Sequence, residues 1–250
     1  MKKLIVSILL VACSADEPAH VTAPKSVEVA NLPWRERVAA ELNTLEAKKL
    51  IELMAMSPAS ATRDPKLGAV FLDRLARKAD AEDVRVALAE ALPKTGAAYV
   101  DALLELFVDE NSAKVRAAFV RATPNDQALA ILRRAFADPS TEVRLVALKS
   151  ASTHTVCEQL ASELRTTLTD REPALRIEAA RAIGALKIEA ARDELVYALG
   201  DGDPEVRLEA MRALDHIAPG SLAGTAAVTA LKSDPDTRVA ELAQKLAVRQ

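Results

Sequence analysis

Glycine is scarce in this chain, seven residues in 250, and aromatic side chains make up 3% of it. A sheet, which draws on branched and aromatic residues, lacks its material, and so does a glycine-rich phosphate loop. With two cysteines and three histidines far apart, neither a disulfide framework nor a thiolate-rich metal cluster can be assembled. Neither sign of charge dominates: 33 Lys and Arg stand against 36 Asp and Glu, and 31 against 36 once residues 1–12 are set aside. A dedicated nucleic-acid binder would be basic, so that class is excluded. No apolar run reaches the roughly 20 residues that cross a bilayer as a helix. What the chain has in quantity is alanine, 50 residues, within a composition that is 50% hydrophobic. Alanine is the strongest helix former, and the expected class is all-α.

The amino end carries an address. Met1, Lys2 and Lys3 precede a short apolar run, Leu4 to Ala12, which together read as an export signal. The run closes on Leu10-Val11-Ala12-Cys13, which resembles the lipobox of bacterial lipoproteins, in which the peptide is cut before a cysteine that is then acylated. The resemblance implies a signal peptide over 1–12 and lipidation of Cys13, palmitate being among the expected chains. Each buried methylene contributes about 0.8 kcal/mol, so several acyl chains hold a protein firmly where one holds it marginally. Ser14, where a retained lipoprotein of the enteric pattern has aspartate, implies transfer to the periplasmic face of the outer membrane. Residues 13–33 contain three prolines and no helical period, and read as a flexible tether.

If Cys13 is lipidated, Cys157 has no partner in the chain. The plain reading is a small buried core residue, with a redox role or an intermolecular bond as alternatives. His154 lies three positions earlier, but two ligands without a third make a poor metal site. His20 falls in the tether, and His154 and His216 fall two repeats apart, about 20 Å, beyond any shared zinc. No metal and no cofactor is expected.

The rest of the chain is organised by a repeat of about 31 residues. An apolar residue followed by arginine recurs at Val84-Arg85, Val115-Arg116, Val143-Arg144, Leu175-Arg176 and Val206-Arg207, with Thr237-Arg238 as a final variant. Self-similarity at that period over more than half a chain is the signature of a solenoid. Each unit reads as two helices. Asp203-Pro204 opens one, the aspartate accepting from freed amides and the proline occupying a turn where its missing donor costs nothing. Val206, Ala210, Leu214 and Ile217 follow at helical spacing. The expected helices run over 34–56, 65–78, 82–92, 97–108, 112–122, 125–137, 140–151, 155–168, 172–183, 187–199, 204–217, 221–232 and 236–248, with Gly96, Gly184 and Gly220 as breaks. The longer first helix, beginning at Trp34, reads as a cap over a repeat domain that spans 34–250.

These recurring residues resemble HEAT-like repeats of the short type also found in phycobilisome lyases. The resemblance implies an alpha-alpha superhelix of about six helical hairpins. Asp138, Asp170 and Asp201 stand six residues before Arg144, Arg176 and Arg207, and each pair is expected to bridge the turn between two helices. Arg85, Arg116, Arg144, Arg176, Arg207 and Arg238 are therefore read as structural residues of the repeat, with ligand-facing roles as the alternative. The last unit departs from the pattern, with Lys232 in the aspartate's place.

HEAT-like repeats serve enzymes, adaptors and scaffolds alike, so function has to come from a site. No paired His-Glu dipeptides of the kind that hold iron in some HEAT-like enzymes occur, and no acid-base set is set apart from the repeat. The expected function is a membrane-anchored envelope lipoprotein acting as a non-catalytic protein interaction scaffold. A purely structural envelope protein, or an enzyme or lyase-like protein on the same repeats, is the alternative. The expected partners are a protein and, through Cys13, the membrane; nucleic acid and small-molecule ligands are not expected.

Overall fold

The computed structural model describes residues 65–95, 99–124, 127–151 and 157–248. The signal peptide, Cys13, the tether, the capping helix from Trp34, Gly96 and His154 all lie outside them. Within the described residues the chain forms helices and turns only. Twelve α-helices follow in order: α1 Pro65–Arg77, α2 Glu82–Thr95, α3 Val100–Asp109, α4 Ala113–Ala122, α5 Leu129–Phe136, α6 Thr141–Ala151, α7 Ala161–Thr167, α8 Pro173–Ala185, α9 Arg192–Ala198, α10 Pro204–Ile217, α11 Ala226–Leu231 and α12 Thr237–Ala247. Short 3-10 turns, Cys157–Leu160 and Glu189–Ala191, lead into α7 and α9. None of these helices is long and apolar enough to cross a membrane.

The described helices divide into two compact units between Thr123 and Pro124. Each is a stack of helical hairpins. In the first, α2 packs on α4 and Leu75, Val84, Leu88, Leu103 and Phe119 form the interior. Tyr99 is buried there, its hydroxyl donating to the Ala122 carbonyl at 3.1 Å, and burial raises its pKa. In the second unit α6, α8, α10 and α12 stack in sequence and α5, α7, α9 and α11 lie outside them. Leu148, Leu164, Leu175, Ile183, Leu195, Val206, Met211, Leu214, Val228 and Leu246 share one continuous core.

Three of the even-numbered helices start with a side-chain cap, and α8, behind Glu172, does not. Asp203 caps α10, its side chain accepting from the Glu205 and Val206 amides at 2.8 and 3.4 Å. Asp236 does the same for α12, and Ser112 for α4. Three residues after the position before each even helix stands an apolar side chain with no exposure: Val84, Val115, Val143, Leu175, Val206 and Val239. Alanine and glycine then let the helices close up. A Cβ built on Gly184 would stand 2.7 Å from the Ala213 Cα. Gly184, expected to break a helix, instead lies buried within α8 at its crossing with α10.

Several helix boundaries also differ from expectation, among them a start at Val100 rather than 97, at Leu129 rather than 125, and at Ala161, behind a 3-10 turn, rather than 155. The helix expected to stop at 92 continues through Pro93 to Thr95, because a proline in the last turn forfeits one backbone bond and no more. The helix expected from 187 begins as the 3-10 turn at Glu189, behind Lys187 at a φ of 52°. The helix expected over 221–232 is confined to Ala226–Leu231. Gly220 and Gly224, at φ of 77° and 69°, hold the preceding residues in a turn instead.

Candidate functional site

The repeat arginines sit four residues after the position preceding each even helix: Arg85, Arg116, Arg144, Arg176 and Arg207. A carboxylate residue sits two before that same position: Glu110, Asp138, Asp170, Asp201 and Asp234. Each of these carboxylates accepts the amide two residues on, from Ser112, Ser140, Glu172, Asp203 and Asp236 at 2.7 to 2.9 Å.

The expected pairing of each aspartate with the arginine six residues later is corrected by the structure. Arg144, Arg176 and Arg207 donate to the backbone carbonyls, not the carboxylates, of Asp138, Asp170 and Asp201, at 2.9, 2.8 and 2.9 Å. Arg116 treats the Glu110 carbonyl the same way at 3.0 Å. The carboxylates are occupied from the other side. Arg144 reaches Asp170 through Nε and Nη2 at 3.0 and 3.3 Å, Arg176 reaches Asp201 at 2.8 and 2.8 Å, and Arg207 reaches Asp234 at 2.8 and 2.6 Å. Arg144, Arg176 and Arg207 thus each tie their own turn to that of the next repeat, with the two-pronged geometry that guanidinium and carboxylate share. The first unit holds one such rung, Arg85 with Glu110. There the longer side chain meets a single Nη, and the buried Arg85 Nε has no partner.

The rungs are nearly dry. Side-chain exposure is 11% and 5% for Arg207 and Asp234 and 16% and 13% for Arg176 and Asp201. The bond from Arg207 holds the Asp234 carboxyl below the usual range, against the opposing effect of burial. At Asp201 burial is the largest influence and acts upward. The bonds from Arg176 and the Asp203 amide, with the Arg176 charge, outweigh it and leave that carboxyl lowered.

The last repeat also needs correction. Counting from Asp236, the ladder position is Ala240, and Arg238 falls two residues early. Arg238 pairs instead with Asp236 at 3.0 Å and Glu205 at 2.8 Å. The aspartate's place is held by Asp234 and not by Lys232. The ladder therefore ends with the rung from Arg207.

Several grooves are open on the second unit, one of about 420 Å³ between α5 and α7. On the odd-helix side, a groove of about 960 Å³ runs between α7, α9 and α11, bordered by Leu168, Arg171, Leu199 and Leu231. Tyr197, 80% exposed, and Val196 stand at its edge. It exists because α11 is only six residues long and begins late. On the even-helix side, a shallower groove of about 360 Å³ lies between α10 and α12, floored by Leu208 and Leu242 and edged by Glu205, Arg212, Arg238, Glu241 and Lys245. Here Arg181 donates to Glu178 at 2.9 Å and to Glu205 and Glu209 at 3.4 and 3.3 Å, and Arg212 donates to Glu209 at 2.6 Å.

This second surface escaped the sequence reading. Its signal is the ninth residue after the position preceding each even helix: Glu90, Arg121, Lys149, Arg181, Arg212 and Lys245. The row shows only once the helix caps are aligned. Of the chemistry-bearing residues considered earlier, His216 is exposed on α10, and Cys157 opens a 3-10 turn with its side chain outside the described residues. Among the described residues no three His, Cys, Asp or Glu side chains converge as metal ligands.

A family model described as HEAT repeats matches residues 157–247, over which α7 to α12 form the hairpin stack. HEAT-like repeats therefore build residues 157–247. No curated protein matches the chain. Among solved structures, an engineered protein is 18% identical with a TM-score of 0.47, covering 86% of this chain and 96% of its own. Human deoxyhypusine hydroxylase in complex with glycerol is 22% identical with a TM-score of 0.40, covering 87% of this chain and 91% of its own.

Proposed function

We propose that a chain built on HEAT-like repeats, with an amino end of this kind, is a membrane-anchored envelope lipoprotein whose repeat body is a non-catalytic scaffold for a protein partner. Residues 1–12 are removed, Cys13 is acylated, and residues 13–33 tether the body to the periplasmic face of the outer membrane. A flexible spacer of that length has a root-mean-square reach of about 25 Å, enough to hold the body clear of the lipid headgroups.

The observation that carries the scaffold reading is the regularity of the second unit. Each repeat spends its buried polar groups on the next repeat, which leaves long helix faces with no internal duty. Stacked faces of this kind offer many small contacts to an extended partner. The acyl chains supply the anchor, since three of them bury far more methylenes than the single chain that binds marginally.

The test is intact mass spectrometry and fractionation of the full chain expressed in a bacterium that processes lipoproteins, beside a Cys13→Ala form. The reading expects a mature chain beginning at Cys13, heavier by its acyl groups and sedimenting with outer membrane, and a Cys13→Ala form that is not acylated. A mature chain cut elsewhere, or one without added mass, contradicts the anchor. Crosslinking in the envelope tests the scaffold: a stable protein adduct supports it, and none from any face of the second unit contradicts it.

A further inference from the structure

On the even-helix face of the second unit the carboxylates that hold arginines lie deeper than the arginines they hold, while Glu142 and Glu241 stand exposed. Glu178, Glu205 and Glu209 have side chains 28%, 29% and 7% exposed, sunk between α8, α10 and α12. The arginines bound to them, Arg181, Arg212 and Arg238, are 45%, 53% and 56% exposed. Glu209 is shared by Arg181 and Arg212, and Glu205 by Arg181 and Arg238. The carboxylates thus hold the guanidinium groups in place from beneath while the positive charge faces outward. Over α8 and α10 a partner approaching this face meets bases first.

The bases are also evenly placed. Lys149, Arg181, Arg212 and Lys245 occupy one equivalent position on α6, α8, α10 and α12, all exposed. Neighbouring helices pack about 8 to 10 Å apart, so the row advances by about that distance per repeat. A polypeptide in the polyproline II conformation rises about 3.1 Å per residue with three residues per turn, so every third side chain lies on one face, about 9 Å from the last. At its α10–α12 end the row borders the groove floored by Leu208 and Leu242, which gives an apolar side chain of the ligand a seat.

We propose that this face is the docking surface of the scaffold, and that its occupant is an acidic polypeptide segment in the polyproline II conformation with a carboxylate at every third residue. Lys149, Arg181, Arg212 and Lys245 each receive one carboxylate, and Arg238 flanks the groove. The proposal rests on the scaffold reading and gives its partner a chemistry. Each guanidinium still has donors to spare, because Arg212 gives Glu209 one of its nitrogens and Arg181 spends two on the carboxylates beneath it.

The test is fluorescence anisotropy of the full chain with a labelled twelve-residue peptide bearing glutamate at every third position. The comparison is a peptide of identical composition with its glutamates consecutive. The spaced peptide is expected to bind at least tenfold more tightly, and the Arg212→Gln/Lys245→Gln double variant to weaken it at least tenfold with an unchanged circular dichroism melt. Arg171→Gln, on the opposite side of the unit, is expected to leave binding as it was. Equal affinity for both peptides, loss of binding in Arg171→Gln alone, or tighter binding of single-stranded DNA or of anionic vesicles than of the spaced peptide would overturn the proposal. A photocrosslinker at position 245 and another at position 197, used in the envelope, keep the two readings apart. Adducts at 245 support both readings. Adducts at 197 alone overturn the docking surface and leave the scaffold standing, and adducts at neither contradict both.

Discussion

Replacing Gly184 with alanine sets two effects of opposite sign against each other. In a helix interior alanine is favoured over glycine by about 1 kcal/mol, so a glycine with room around it gains stability from the change. Gly184 has no room: the new Cβ would lie 2.7 Å from the Ala213 Cα and 3.0 Å from its Cβ, where carbon atoms rest at about 3.5 to 4.0 Å. The atom in the way is backbone, which cannot swing aside, so α8 and α10 must part locally by about 1 Å. Overpacking of this kind costs about 1 to 3 kcal/mol, and a gap of about that width removes a quarter to a half of each dispersion contact it opens. The second effect wins. Gly184→Ala is expected to destabilise the second unit by about 1 to 2 kcal/mol, read as a lower urea midpoint at unchanged slope by far-ultraviolet circular dichroism. Adding Ala213→Gly should return part of the loss, and a double-mutant cycle would show the coupling. A Gly184→Ala protein more stable than the parent would refute the close approach.

Other consequences follow from the caps and rungs. Asp203→Ala removes the acceptor for two amides at the start of α10 and should cost about 0.5 to 2 kcal/mol by chemical denaturation, with Asp203→Asn close to neutral. Arg207→Met strands the nearly buried Asp234 carboxylate and should cost about 3 to 5 kcal/mol in the same assay, whereas Arg238→Met, exposed beside the groove, should leave the melt unchanged. The carboxyls of Asp201 and Asp234 are lowered in the folded chain, so their contribution is complete above the unfolded carboxylate value of about 3.9 and is lost as pH falls below it. Thermal melts should therefore be flat through pH 5 to 7 for this contribution and fall below about pH 4, less steeply in Asp234→Asn.

The helices were legible because caps and apolar period coincide. Asp203-Pro204 marks the start of α10, and Val206, Ala210 and Leu214 are buried as their spacing requires. Gly184 was misjudged because a glycine that admits a neighbouring backbone and one that ends a helix look alike in one dimension. Gly220 shows the other case, with its positive φ. The recurrence of Asp138, Asp170 and Asp201 before arginine was visible, but sequence proximity suggested a partner six residues away. Each carboxylate in fact turns toward the amide two residues on, and Asp170 and Asp201 present their free side to the preceding repeat. Arg238 matched the repeated dipeptide by chance of register; aligning on the cap at Asp236 puts Ala240 in its place. The basic row from Lys149 to Lys245 was hidden for a similar reason, since it is defined by distance from the caps and not by any local motif.

The claim that the account depends on most is that Arg144, Arg176 and Arg207 lock their repeats to the following ones and so fix the spacing of the exposed face of the second unit. Two double-mutant cycles share one variant, Arg176→Met, combined in one case with Asp201→Asn and in the other with Asp170→Asn, each followed by urea denaturation. The account expects a coupling of about 1.5 to 3 kcal/mol for Arg176 with Asp201, as for a charge-assisted bond between near-buried groups, and almost none for Arg176 with the Asp170 carboxylate. A strong coupling to Asp170 with none to Asp201 would show that the repeats are clipped within themselves and would contradict it.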